Sequence, residues 1–276
     1  MSAPAPVPPE PAEVVIEVSD LCVSYGPREV LHDVHLQVRR GEIMVIMGGS
    51  GSGKSTLLRA LLGLQSPRRG CIRLLGRDIT RLDEHAMHAL RTRMGVAFQG
   101  GALFNSMTVG DNILLPLREH TRLDENTMRI MMRMKLALVG LSGCEDLMPA
   151  QLSGGMTKRA ALARAIVMDP PLLFFDEPSA GLDPVASAQL DRLILKLRRA
   201  LNMTIVVVTH ELDSAFAIAD RITVLDRGRV RFTGTPEALR RSDDRRIQDL
   251  LQRRADLAPV DPEVYLDKLT GAPPDA

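Results

Sequence analysis

Tryptophan is absent from this chain, and phenylalanine and tyrosine together make up only 3% of its 276 residues. With so few rings to stack on bases, a single-stranded nucleic-acid binder is disfavoured. Charge of one sign is lacking too: 35 basic side chains are met by 34 acidic ones, a net +1. The broad basic field on which nucleic-acid proteins depend is therefore missing, and no nucleic-acid partner is expected. Cysteine is scarce, and Cys22, Cys71 and Cys144 are odd in number and far apart, so neither a disulfide framework nor a C-x-x-C metal site is expected. They read as reduced, small buried hydrophobes of a cytosolic protein. No apolar run is long enough to span a bilayer, and the start carries no basic-then-apolar leader. The expectation is a protein that meets a membrane only through another subunit.

What is there begins with Gly48, Gly49, Ser50, Gly51, Ser52, Gly53, Lys54, Ser55 and Thr56, a fit to the phosphate-binding pattern G-x-x-x-x-G-K-[ST]. Glycines without Cβ atoms let successive backbone N–H groups turn inward around phosphate oxygens. A helix that follows points its positive end at the same anion. Lys54 is expected to reach the β and γ phosphates of a nucleotide, and the Ser55 hydroxyl to complete the shell of a Mg2+ ion. The motif needs a buried strand before it and a helix after it. Residues 43–47 are a wholly apolar run, and leucines at helical spacing follow over 56–63, which meets both conditions.

The remainder of the chain reads as an α/β domain. Residues 1–12 are Pro-rich and expected to be an extended tail, the domain to fill 13–240, and residues 241–276 to form an extension. Short strands are expected at 14–18, 21–25 and 34–38, separated by the turns Gly26-Pro27 and Arg40-Gly41. Tyr25, beside the first turn, has two readings: an aromatic that stacks on adenine, or a cover for a sheet edge. A strand at 71–75 precedes a polar helix at 83–91, whose Glu84, His85 and His88 have the wrong order and spacing for a zinc site. A further strand at 94–98 ends at Gln99. That edge is where open α/β sheets bind ligands, so Gln99 is placed to sense a phosphate or a metal, or is an ordinary satisfied polar residue.

From about 100 to 168 the β pattern gives way to an inserted helical lobe, with helices expected at 109–117 and 126–139. Met128, Met131, Met132 and Met134 suit adaptable packing or docking of a partner helix. Leu152, Ser153, Gly154, Gly155 and Met156 then open another helix, making a second anion cradle with no lysine in it. An apolar strand follows and ends in Asp176 and Glu177, placed to hold Mg2+ through water and to polarise an attacking water respectively. The strand at 204–208 leads to His210, which has two readings: a histidine that bonds a γ-phosphate at the nucleotide edge, or an unremarkable lone histidine. Strands at 222–225 and 229–232 close the sheet, and Pro236 starts a helix. In the charged stretch after it, Ile247, Leu250 and Leu251 line one helical stripe, as a solvated appendage or as a clasp between subunits.

Over about 14–239 these motifs, in this order, resemble an ABC transporter ATPase subunit. The resemblance implies a P-loop ATPase with a RecA-like mixed-sheet core, an antiparallel β region and the helical lobe. It also implies ATP and Mg2+ as cofactors, adenine stacking at Tyr25, and catalytic or metal roles for Lys54, Ser55, Gln99, Asp176, Glu177 and His210. It explains the second cradle, because in this family two subunits pair head to tail. The Ser153, Gly154 and Gly155 turn of one chain would close over the γ-phosphate held by the other's P-loop, with Asp183 communicating between the sites.

A narrower resemblance, to the Mla-type phospholipid transport ATPases of Gram-negative bacteria, rests on three pieces: Phe98 to Phe104, Pro116 to Thr121, and a signature reading Leu152 to Met156, with Met156 in place of the family's usual Gln, followed by Thr157 to Arg164. It implies an integral permease, an MCE-domain lipid-binding subunit and a small STAS-like accessory subunit, at the cytoplasmic face of the inner membrane. Transport of another solute, and a soluble ATPase acting on DNA or ribosomes, stay open as alternatives. The second of these is disfavoured by the balanced charge and the lack of a coiled-coil insertion.

Overall fold

The computed structural model describes residues 13–252; the expected tail at 1–12 and residues 253–276 of the expected extension lie outside them. The chain enters as β1 (Val14–Tyr25) and turns at Gly26 into β2 (Arg28–Arg39). The two short strands expected at 14–18 and 21–25 are in fact one. Pairing shifts register between Val18 and Leu21, and Asp20 takes a left-handed φ of 51°. Such a bulge carries the strand through a break in its alternation, which is why the sequence pattern looked interrupted there.

β3 (Ile43–Met47) is buried throughout. Its alternate side chains feed two cores: Ile43, Val45 and Met47 face one, Met44 and Ile46 the other. A strand covered on both faces needs no polar side, hence the uninterrupted apolar run. The P-loop then leads into α1 (Lys54–Leu61), and β4 (Arg69–Leu74) is followed by the two-residue β5 (Arg77–Asp78), too short for any pattern to reveal. Asp83 caps α2 (Glu84–Arg91) by accepting from the Ala86 N–H, and β6 (Met94–Ala97) follows.

The lobe contains α3 (Val109–His120), α4 (Glu125–Leu138) and α5 (Gly154–Ala165). α3 runs through Pro116 beyond its expected end at Leu117. Of the methionines on α4, Met128 and Met132 are buried in the core, Met131 packs against it, and Met134 is exposed. The chain then returns through β7 (Leu172–Asp176), α6 (Pro184–Leu201), β8 (Thr204–Val208) and α7 (Leu212–Ile218). β9 (Arg221–Asp226), β10 (Arg229–Gly234), α8 (Pro236–Arg240) and α9 (Arg245–Leu251) complete it.

Two sheets result. The antiparallel one has the order β2-β1-β4-β5, and the larger one the order β10-β9-β3-β8-β7-β6. In the larger sheet every neighbouring pair is parallel except β10 with β9. The mixed core, antiparallel region and helical lobe expected from the sequence are thus all present. Two details differ from the sequence reading. Cys22 is buried, but Cys71 and Cys144 are only half-buried. The stripe on α9 is neither solvated nor free: Ile247 is 1% exposed in the same core as β3, with Leu250 and Leu251 packed against it.

Candidate functional site

Strand register assembles the site. Ile46 of β3 lies opposite Val208 of β8, Asp176 of β7 also lies opposite Val208, and Ala97 of β6 lies opposite Phe175. The residues that leave these strands, Gly48, Glu177, Thr209 and Phe98, therefore share one carboxyl edge, where ligands of parallel sheets bind. Two hydrogen bonds stitch the edge beyond the ladder: the Thr209 N–H donates to the Ile46 carbonyl at 3.1 Å and the Glu177 N–H to the Val208 carbonyl at 2.8 Å.

The P-loop is shaped by what its glycines lack. Gly53 sits at φ 104°, and a Cβ there would meet Leu31 at 2.6 Å; at Gly48 it would meet the Leu225 carbonyl oxygen at 2.3 Å. Side chains at these positions would push the loop open. α1 begins immediately after it with no side-chain cap, so its first N–H groups are turned toward an acceptor from outside the helix. Lys54 Nζ donates to the Gly48 carbonyl at 2.9 Å and the Gly49 carbonyl at 3.0 Å. Burial pushes the Lys54 ammonium below the ordinary lysine value, against the opposite pull of Glu177 and Asp176. Ser52 Oγ is buried without a hydrogen-bond partner, while Ser55 is exposed and Thr56 half-buried. A cradle with inward N–H groups, a lysine and an orphaned hydroxyl fits a polyphosphate.

Facing it are the two carboxylates. Burial raises the Asp176 carboxyl above its usual range and the Glu177 charge adds to this, with Arg59 and Lys54 opposing. An acid in such surroundings gains from a cation, and the Asp176 carboxylate fits an oxygen-ligated Mg2+. Glu177 takes a left-handed φ of 49°, an uncommon conformation for a residue with a Cβ. Its carboxylate accepts from the Thr209 hydroxyl at 3.1 Å and the His210 N–H at 3.3 Å, and pairs with His210 Nδ1 at 2.9 Å. The Glu177 side chain is 13% exposed and that of His210 59%. One acid is thus fixed by donors on one side and open to the cradle on the other. Thr209, fully buried, was not singled out by sequence reasoning; its adjacency to His210 was the available signal.

The second cradle stands apart. Ser153 caps α5 by accepting from the Met156 N–H at 3.3 Å, and Ser153 and Gly154 are exposed. With Gly155 they line an open cleft of about 420 Å3 shared with Gly181, Leu182 and Asp183. The cleft bordered by Gly49, Ser50, Gly51 and Ser52 shares no lining residue with it. Asp183 itself caps α6, accepting from Val185 and Ala186 at 2.9 Å. Gln99 is exposed just past β6. Tyr25 is 40% exposed at the end of β1 and packs into neither core.

Residues 31–180 match the family model described as ABC transporter. The chain is an ABC transporter ATPase. It is 44% identical, over 242 residues, to the intermembrane phospholipid transport system ATP-binding protein MlaF of Haemophilus influenzae, covering 88% of this chain and 92% of that one. It is also 42% identical to the probable ribonucleotide transport ATP-binding protein mkl of Mycobacterium tuberculosis, covering 95% of this chain and 73% of that one. Among solved structures it is similar to the dimeric post-hydrolysis state of the ATP-binding cassette MJ0796 bound to ADP and Pi. The TM-score is 0.74 at 30% identity, over 80% of this chain and 98% of that one. As an ABC ATPase the chain binds and hydrolyses ATP. Among the described residues no helix is long and apolar enough to cross a membrane.

Proposed function

We propose that two copies of this ABC ATPase pair head to tail around ATP and power the movement of phospholipid between the inner and outer membranes. The lipid assignment is carried by the likeness to MlaF, which spans 88% of this chain and 92% of that protein. The name of the mycobacterial relative gives the second reading, ribonucleotide transport. The pairing is supported by the separate clefts of the two cradles: a Ser153 turn that lines a cleft of its own is free to meet a second chain's nucleotide.

In this reading Lys54 exchanges its bonds to Gly48 and Gly49 for the β and γ phosphates, and Tyr25 takes the adenine. Asp176, Ser55 and Gln99 would hold Mg2+, which supplies charge neutralisation at the phosphates when bound. Glu177 accepts a proton as water oxygen bonds to the γ phosphorus and the bridge to the β phosphate breaks, leaving ADP and inorganic phosphate. His210 and Thr209 keep the carboxylate aimed, and the Ser153, Gly154 and Gly155 turn of the second chain donates to the same γ-phosphate. Positioning of this kind is most of what phosphoryl transfer asks of a protein.

The stroke reaches a membrane permease through a groove of about 310 Å3 between α2, β6, α3 and α5. Its polar lining includes His88, Arg91, His120 and Arg164 and no carboxylate, which suits an acidic cytoplasmic segment. The permease, an MCE-domain subunit and a STAS-like subunit complete the assembly at the cytoplasmic face of the inner membrane. Reconstitution of the whole complex in proteoliposomes tests this. ATP-driven transfer of labelled phospholipid is expected, with none by Glu177→Gln; ATP-driven ribonucleotide uptake without lipid transfer would replace the lipid reading.

A further inference from the structure

Lys158 lies in the second turn of α5, the helix that the Ser153 turn opens, yet its side chain points to the carboxylate strand. Its Nζ donates to the Pro178 carbonyl at 2.6 Å and to the Glu177 carbonyl at 3.3 Å. The Glu177 carbonyl also accepts from the Ala180 N–H at 3.2 Å, closing the tight turn in which Glu177 sits at φ 49°. Around the lysine stem stand Ala97, Phe98, Ala161, Phe175 and Leu190. Burial pushes the Lys158 ammonium below the ordinary lysine value, and the Glu177 charge pulls it back. A cation is thus desolvated in order to hold two carbonyls, when an apolar side chain would have filled the same space without that cost.

We propose that Lys158 is a positioning residue that couples the Ser153 turn to the Glu177 base of its own chain. The inference rests on the paired-chain reading above. α5 is a rigid rod with its amino end in the cleft that would receive the second chain's nucleotide and Lys158 fastened behind the base. Closure of the Ser153 turn on the opposite ATP shifts α5, and the ammonium carries that shift to the backbone of Glu177. The carboxylate is held from its other side by Thr209 and His210, so a change in the Glu177 backbone alters its aim rather than merely moving it. A base placed slightly off line costs one to two orders of magnitude in rate. Hydrolysis in one site thereby depends on occupancy of the other.

The test uses the full transporter complex and three variants. Lys158→Met removes both charge and donor, Lys158→Gln keeps a shorter neutral donor, and Lys158→Arg keeps charge and reach. Expected for Lys158→Met is ATP affinity within about threefold of wild type, kcat lowered about tenfold or more, and a Hill coefficient for ATP falling toward 1. Lys158→Arg is expected to recover most of both kcat and the Hill coefficient, with Lys158→Gln between. Wild-type kcat and Hill coefficient in Lys158→Met would overturn the inference. So would a loss of kcat that tracks loss of thermal stability across all three variants, including arginine. ATP-dependent pairing of Glu177→Gln is measured alongside: if it fails, the paired-chain reading falls, and if it succeeds while Lys158→Met is normal, only the lysine inference falls.

Discussion

Both oxygens of the Glu177 carboxylate are engaged, by the Thr209 hydroxyl, the His210 N–H and the His210 ring. A glutamine keeps that shape and can still be held there, but it has no basic oxygen to take a proton from water. Glu177→Gln should therefore bind ATP as wild type while turnover falls about 100-fold or more, the usual contribution of a general base. Nucleotide titration beside steady-state hydrolysis checks it, and unchanged turnover would remove Glu177 from that role. Lys54→Ala should act earlier, on binding itself. Losing a partly buried charged donor to phosphate costs about 2 kcal/mol or more, roughly 30-fold in affinity, and unchanged affinity in the same titration would contradict the cradle. At this scale Lys54, Asp176 and Glu177 were legible because each sits inside a short motif. Thr209 and Lys158 were not, because what places them is register and packing: β8 ends opposite Asp176, and α5 lays its second turn behind the acid.

The elements carry a different lesson. Three helices, α2, α4 and α6, are entered through an aspartate, Asp83, Asp124 and Asp183, whose side chain accepts from the first turn. β1 was not legible as one strand, since a bulge hides strand continuity from a period-two pattern. Between α6 and α7 lies an interaction that no pattern announces, the buried Asp191 accepting from the Ser214 hydroxyl at 2.5 Å. Burial raises the Asp191 carboxyl above its usual range, with the Ser214 bond acting the other way. The folded chain therefore binds more protons here than the unfolded chain as pH climbs above about 4, and stability falls over that window. Asp191→Asn keeps an acceptor for Ser214 without the buried charge. It should gain about 1 kcal/mol at pH 7.5, raising Tm by roughly 2–4 °C. That gain should vanish below about pH 4, where the aspartic acid is itself neutral. Calorimetry of both proteins across this range decides the matter; a lower Tm for the variant at pH 7.5 would show that the charge is stabilising.

For the whole molecule, the order of motifs announced the sheet and its lobe, but the α9 stripe shows where sequence alone stops. Ile247, Leu250 and Leu251 make an apolar face whether it meets its own chain or another, and only the fold shows that it returns to the β3 core. The Ser153 turn poses the same question, since it lines a cleft apart from the P-loop. If the two cradles meet only between chains, defects in each should complement. In a Glu177→Gln background, and at an ATP level that fills only an intact P-loop, a chain carrying Lys54→Ala stays largely empty, and one carrying Gly154→Asp holds ATP but repels the opposite γ-phosphate with a new carboxylate. Neither should pair with itself on adding ATP. Mixed, the intact Ser153 turn of the first closes on the ATP of the second, giving ATP-dependent pairs that hold one nucleotide each, because a head-to-tail arrangement builds each site from two chains. Light scattering with differently tagged chains reads this directly. Absence of mixed pairs, when Glu177→Gln alone forms pairs, would mean that each chain completes its own site.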